Sequence, residues 1–380
     1  MRTSLYQLAE NTWNEHPANN ANNKNKAQLV LSFGGKEQLK DKNIYAALKE
    51  QFPVAQISMC STAGEIYHDA VLDNAIIAIA LEFEKTAIHT ASINISNCAC
   101  SYDAAIKLAD KLPKKDLTYV MIFADGSLVN GSELVKGLNT TLDKDVLITG
   151  GIAGDAANFQ STLVGLNEQP KEGEVIAIGF YGDNLLVTHG SRGGWEMFGV
   201  EKEITKSADN VLYEIDDSNA LELYKKYLGS EAENLPGAAL LFPLAITVPG
   251  SSTPVVRTIL SIDESNNSMT FAGDIPQGAS VRFMKSNLAK LTEAAAAAAK
   301  QTMLKEYQEP AFTMLVSCVG RKIILGPRIE EEVEAVNETF NNKTLLAGFY
   351  SYGEIAPFDE GGYSQLHNQT MTITSFYELP

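Results

Sequence analysis

Cysteine is scarce. Four residues in a chain of 380 cannot build a disulfide framework, and thiols this sparse read as the reduced cysteines of a cytoplasmic protein. Basic residues are also few. Lys plus Arg number 30 against 47 Asp plus Glu, a formal charge of −17, which argues against a nucleic-acid or anionic-membrane partner because phosphates would be repelled. No apolar run reaches the ~20 residues of a membrane-spanning helix. The longest candidate, Ala75–Leu81, is strand-sized. The N-terminus carries Glu10, Glu15 and His16 with no apolar signal region. Histidine is rare too, and none of the 5 forms an i, i+4 or His-x-His pair, so no preassembled metal site is signalled.

What is present reads as a globular chain of two to three domains, with 45% hydrophobic and 20% charged residues. One unit recurs three times. Each copy has a buried-strand run (Ala27–Phe33, Tyr119–Phe123, Phe312–Val316), an amphipathic helix (near Lys42–Phe52, Ser132–Leu142, Ile329–Phe340) and a short second strand. Each second strand leads into a small-residue turn closed by Gly and an acid: Ser61-Thr-Ala-Gly-Glu65, Gly151-Ile-Ala-Gly-Asp155 and Tyr350-Ser-Tyr-Gly-Glu354. A third apolar strand follows each turn. Between the second and third copies lies a different, strand-rich region, with a long helix over Ser286–Tyr307 whose Ala294–Ala299 face predicts close packing on a sheet. The Asn-rich stretch Ala18–Lys26 reads as a connector.

Chemistry-bearing groups are sparse. Gly150–Asp155 lacks the helix N-terminus that a phosphate-cradling loop requires directly after its glycines, so a dinucleotide site is not expected. Cys60 and Cys318 end strands, and Cys318 stands three residues before Arg321; a nucleophile would need a base, and no Cys–His pair is signalled. A haem iron held by one axial histidine would leave no local signature. His189, beside the Gly-rich run to Trp195, leads that list, with His367 second.

Several of these runs resemble the FIST domain family. They are Leu345–Pro357 with His367-Asn-Gln-Thr370, Cys318-Val-Gly-Arg321 with Gly326 and Glu332, Cys60–Ile66, Gly150–Asp155, and Arg192–Trp195 with Val211–Asp216 and Ala220–Tyr224. The sequence departs from the family pattern at Glu196–Val200 and Asp217–Asn219. The resemblance implies an N-terminal segment and linker at 1–26, a FIST N-terminal domain at 27–217 and a FIST C-terminal domain at 218–380. It implies a sensory, non-catalytic protein that binds a small ligand and regulates a signalling partner. Some stand-alone bacterial members sense nitric oxide through haem and act on a histidine kinase. No kinase, cyclase or receptor segment is visible, so haem-based nitric-oxide sensing is the leading expectation and an amino-acid-binding sensor without haem the alternative. A cysteine-dependent enzyme is the third.

The expected fold is α/β, with two related halves built from repeated strand–helix–strand units and β-sheets carrying packed helices. The repeated strand ends are expected to gather Cys60, Ser61, Thr62, Glu65, Asp155, Cys318, Arg321, Tyr352, Glu354 and His367 around a common cleft. Arg321 would meet a ligand carboxylate or one of the Gly-linked acids.

Overall fold

A computed structural model describes residues 1–379 apart from 11, 18–22, 236, 251–253, 286, 308 and 359–360. Most of the Asn-rich connector thus lies outside the described residues. The fold is α/β, with helices packed on several sheets. The repeated unit relates the two halves: the N-terminal half holds two copies and the C-terminal half the third.

Each copy opens with a parallel strand pair, which needs a crossover and receives a helix. The pairs are Leu29–Gly34 with Gln56–Ser61, Leu117–Ala124 with Leu147–Ile152, and Phe312–Cys318 with Leu346–Ser351. An antiparallel strand then returns beside the first member of each pair: Ile76–Glu82, Glu174–Tyr181 and Met371–Glu378. Arg2–Ala9 and Thr12–Glu15, from the N-terminal segment, extend the first sheet.

Side chains on these strands alternate between two burial partners. Leu31 and Phe33, Met121 and Phe123, and Met314 and Val316 face one common core shared by all three sheets. Val30, Ile122 and Leu315 face outward into separate helix-covered layers. Burial on both faces explains why the strands read as unbroken apolar runs. At the centre Phe33, Phe123 and Phe349, one from each sheet, stack or meet edge-on with ring centroids 4.7–5.8 Å apart. Gly151 makes room for them, because a Cβ there would lie 2.9 Å from the Phe349 ring. Its place in the sequence reflects this contact and not a phosphate loop.

After its second parallel strand, each unit sends a strand into a neighbour's sheet. Glu65–Tyr67 pairs with Leu346–Ser351, Gly353–Pro357 pairs with Leu147–Ile152, and Val164–Leu166 pairs with Gln56–Ser61. The exchange is cyclic: first unit to third sheet, third to second, second to first.

The intervening region forms an eight-stranded sheet with its own core, in which the helix Ala220–Leu228 packs. The long helix spans Leu288–Thr302 and buries Ala294, Ala295, Ala298 and Ala299, as its alanine face predicts. The Gly-rich segment is a correction. Gly190 to Arg192 are not a flexible strand exit; the strand runs Leu185–Arg192, with His189 inside it, laddered to Met371–Glu378. Gly190 is there because a Cβ would sit 2.1 Å from the Ala298 carbonyl oxygen. The connection to the next strand, Glu196–Ala208, is only Gly193-Gly194-Trp195.

Truncating Phe349 to Ala should cost about 3–5 kcal/mol, as for a large aromatic in a core that cannot collapse, whereas Leu128→Ala, at an exposed position, should change stability by under about 0.5 kcal/mol. Urea denaturation of both variants checks this.

Candidate functional site

The exchanged strands leave their own sheets at the Gly-acid turns, so each acid sits at a corner between two sheets. The three corners differ in chemistry. At the first, Glu65 accepts a hydrogen bond from Thr62 Oγ1 at 2.5 Å and from the Ala75 backbone N–H at 3.0 Å. At the third, Glu354 repeats the pattern, accepting from Ser351 Oγ at 2.8 Å and from the Thr370 N–H and hydroxyl. Burial raises both carboxyls despite these donors, Glu65 to about 7 and Glu354 to about 8.

The second corner is opposite in character. Burial pushes Asp155 up, but the Tyr352 hydroxyl, the backbone N–H groups of Ser161 and Gln160 and the Lys36 ammonium outweigh it and hold the carboxyl below its ordinary range. Lys36 Nζ lies 3.3 Å from Asp155 Oδ2 and 2.9 Å from Ser161 Oγ. Tyr352 also accepts from the N–H groups of Asp155 and Phe159, and the Phe159 ring stacks on it at 4.6 Å. Ala156 and Phe159 both hold positive φ, 58° and 54°, conformations that cost energy without glycine. Tyr352 pins this strained loop from the third unit.

The first two corners open on one polar cleft of about 280 Å³. Its lining includes Lys36, Thr62, Glu65, Asp73, Asp155 and Gln160. Lys322 closes its edge, donating to the Ala63 carbonyl at 2.8 Å and to Asp73. Thr62, Glu65 and Asp155 therefore come together as the turns suggested, and Tyr352 joins them through Asp155. Ser61 lies beneath, donating to the Gly154 carbonyl and accepting from the Leu163 N–H, both at 2.8 Å. Cys60 is fully buried, and burial pushes its thiol pKa up.

The remaining predicted residues do not line this cleft. Arg321 is fully buried and spends its donors inside the protein: Nε and Nη2 on Glu332 at 3.0 and 2.7 Å, Nη1 on Gly193 O and Nη2 also on Leu291 O. Its partner is Glu332, not a repeat acid or a ligand. Glu332 in turn accepts from Ser317 and Tyr350. Cys318 is buried near Glu354, and burial raises its thiol as well. His367 is 2% exposed and donates Nε2–H to the Ala356 carbonyl at 2.9 Å. Burial, together with nearby Arg257 and His189, lowers its pKa to about 4, keeping it neutral. With Nε2–H committed to Ala356, Nδ1 is the nitrogen that keeps a lone pair, on a ring that is almost wholly buried and does not line the polar cleft. His189 sits half-buried within its strand ladder. Sequence reasoning missed Lys36, Asp73 and Lys322. Lys36 follows Gly34-Gly35 at a strand exit, the one signal that marked it.

An α/β protein with a metabolite-sized polar cleft at a strand-exchange corner is thus defined. The chain belongs to the FIST family: residues 28–218 match the FIST N domain and residues 220–357 the FIST C domain, signal-transduction sensor domains that bind small ligands. No curated protein matches the chain in sequence. Among solved structures it is similar to cyanuric acid hydrolase from A. caulinodans at 6% identity and a TM-score of 0.36, covering 94% of this chain and 91% of that one. A second cyanuric acid hydrolase structure reaches 9% identity and 0.32, covering 99% of both. Values this low carry no argument about activity. No described helix is long and apolar enough to cross a membrane.

A carboxyl raised on folding binds its proton more tightly in the folded chain. Folding therefore takes up protons between its ordinary pKa of 4.5 and about 7 for Glu65, and stability falls as pH rises through that window. Glu65→Gln should remove this share, up to a few kcal/mol, and make the fall in stability shallower between pH 4.5 and 7 in denaturation experiments, leaving the share of Glu354, whose window reaches about 8.

Proposed function

We propose that the protein is a sensor of a free amino acid, bound in the cleft between Lys36, Glu65 and Asp155. The observation that carries this reading is the charge arrangement. Lys36 meets Asp155 of the second corner and Lys322 stands at the edge near Glu65 of the first, in a cleft at the small end of the ~300–1,000 Å³ range of ligand sites. A zwitterion meets both demands. Its carboxylate takes the Lys36 proton left after Asp155 and Ser161, and its ammonium takes Asp155 or Glu65. Of the lining acids, Asp73 pairs with Lys322, Glu37 with Lys40 and Asp155 with Lys36, while Glu65 forms no ion pair among the described residues, which favours an amino acid with a second cation, such as lysine or arginine, to meet it.

Binding is favoured over catalysis. Both buried cysteines have raised thiol pKa values, so neither offers the thiolate a nucleophile needs. Haem-based nitric-oxide sensing draws no support from His367, whose Nε2 is spent on Ala356. The loop from Asp155 to Ser161, held by Tyr352 and Lys36, is the element a ligand would bias. A signalling partner reads that change, and a histidine kinase is the partner class the family resemblance suggests.

Titrating the protein with each amino acid should raise its Tm with the logarithm of concentration for at least one basic amino acid, the unfolding free energy increasing by about 2.7 kcal/mol at a hundredfold excess over Kd. Lys36→Ala and Asp155→Asn should each abolish the rise. Absence of stabilisation by every amino acid, with a Soret band in protein expressed with haem, would replace this reading with the haem one.

A further inference from the structure

A second cleft, of about 600 Å³, lies between the helix Gly131–Thr141 and the strand Ser364–His367, where a strand of the eight-stranded sheet approaches both. It shares no lining residue with the polar cleft. Arg257, from the strand Val255–Arg257, reaches into it and is 8% exposed. Its Nε donates to the Asp274 carbonyl at 3.1 Å, and its Nη1 to the carbonyls of Val256 and Leu366 at 3.3 and 3.0 Å. These are neutral partners. Asp274 is near enough to raise the Arg257 pKa, while burial, the larger effect, lowers it to about 10. The side chain therefore stays charged at neutral pH. The Asp274 carboxylate takes its hydrogen bond from Asn130 Nδ2 at 3.1 Å. Among the described residues no carboxylate forms an ion pair with Arg257, and none of their oxygens takes up Nη2.

A guanidinium withdrawn from water without an anion is costly, and a planar donor fork is the group that best recognises a carboxylate or phosphate. The protein holds this one in place deliberately tight: a Cβ on Gly273 would lie 2.9 Å from Arg257 Nε. A second cation, the exposed Lys136, stands on the same helix face, and Asn139 is fixed beside it by donating to the Ser364 carbonyl at 2.8 Å. The remaining lining is mixed: Ser132, Thr140, Ser364 and Gln365 are polar, Val135 and Leu366 are buried beneath them, and the half-exposed ring of Tyr363 supplies the apolar surface.

We propose that this cleft is a second ligand site, for a small organic oxyanion whose carboxylate or phosphate meets Arg257 and Lys136 and whose apolar body lies on the ring of Tyr363. The ligand would touch both halves and the eight-stranded sheet at once, a position from which it stabilises their mutual docking. The site is independent of the amino-acid reading.

Calorimetric titration at constant ionic strength, with phenylphosphate, benzoate and uncharged phenol as probes, tests it. The expected result is binding of at least one of the two anions and none of phenol; which anion binds tells a phosphate site from a carboxylate site. Lys136→Glu, at an exposed position that leaves the fold intact, should weaken the binding at least tenfold, and Arg257→Lys should weaken it further. Lys26→Glu, at an exposed lysine outside the cleft, should bind as the wild type does. The proposal is overturned if neither anion binds at millimolar concentration. Phenol binding equally well, or Lys136→Glu acting no more strongly than Lys26→Glu, would also overturn it.

Discussion

Three sheets share one core only because each gives a strand to the next. The exchanged strands Glu65–Tyr67, Gly353–Pro357 and Val164–Leu166 close a ring of backbone pairing, and the Phe33, Phe123 and Phe349 rings fill its middle. An unpaired strand edge is a liability and a buried one is costly. In this arrangement the edge of each second parallel strand is covered by a neighbour's strand, so no unit satisfies its hydrogen bonds alone. Small residues follow from the same constraint. Gly151 yields to Phe349, and Gly348 lies where a Cβ would be 1.8 Å from the Leu315 carbonyl oxygen.

The cyclic exchange also explains where the chemistry sits. A chain that leaves one sheet for another must turn, and the turn brings an acid beside the neighbour's backbone. Local partners then decide what each acid becomes. Glu65 and Glu354 keep hydroxyl and N–H donors but little solvent, and their pKa values rise. Asp155 gains a lysine and a tyrosine from other units and stays ionised. The third corner is filled by Cys318, Glu354 and the nearby Arg321–Glu332 pair, whose buried charges are matched within the protein. Two of the three corners open on the polar cleft lined by Lys36, Glu65 and Asp155.

The sequence announces the repeat clearly, since buried strands, helices and Gly-acid turns recur in order. The packing face at Ala294–Ala299 is also legible from pattern alone. Which strands pair across units is not, because a period of two marks a strand's faces without naming its neighbour. The Arg321 partner was hidden for a related reason: Glu332 lies on a following helix and returns only through tertiary packing. The Gly-rich run beside His189 gives no hint in sequence that Gly190 lies inside a strand, where it serves close approach to Ala298. Lys36 reads in sequence as an ordinary surface lysine, and only the approach of the second unit's loop gives it Asp155.

The central claim is that the open corner of the strand exchange is where this sensor meets its ligand. Hydrogen-exchange mass spectrometry with and without a mixture of basic amino acids tests it most directly, since exchange reports local opening peptide by peptide. The account predicts ligand-dependent protection concentrated at residues 35–37, 62–65 and 155–161. Binding accompanied by protection confined to residues outside these three segments would contradict it.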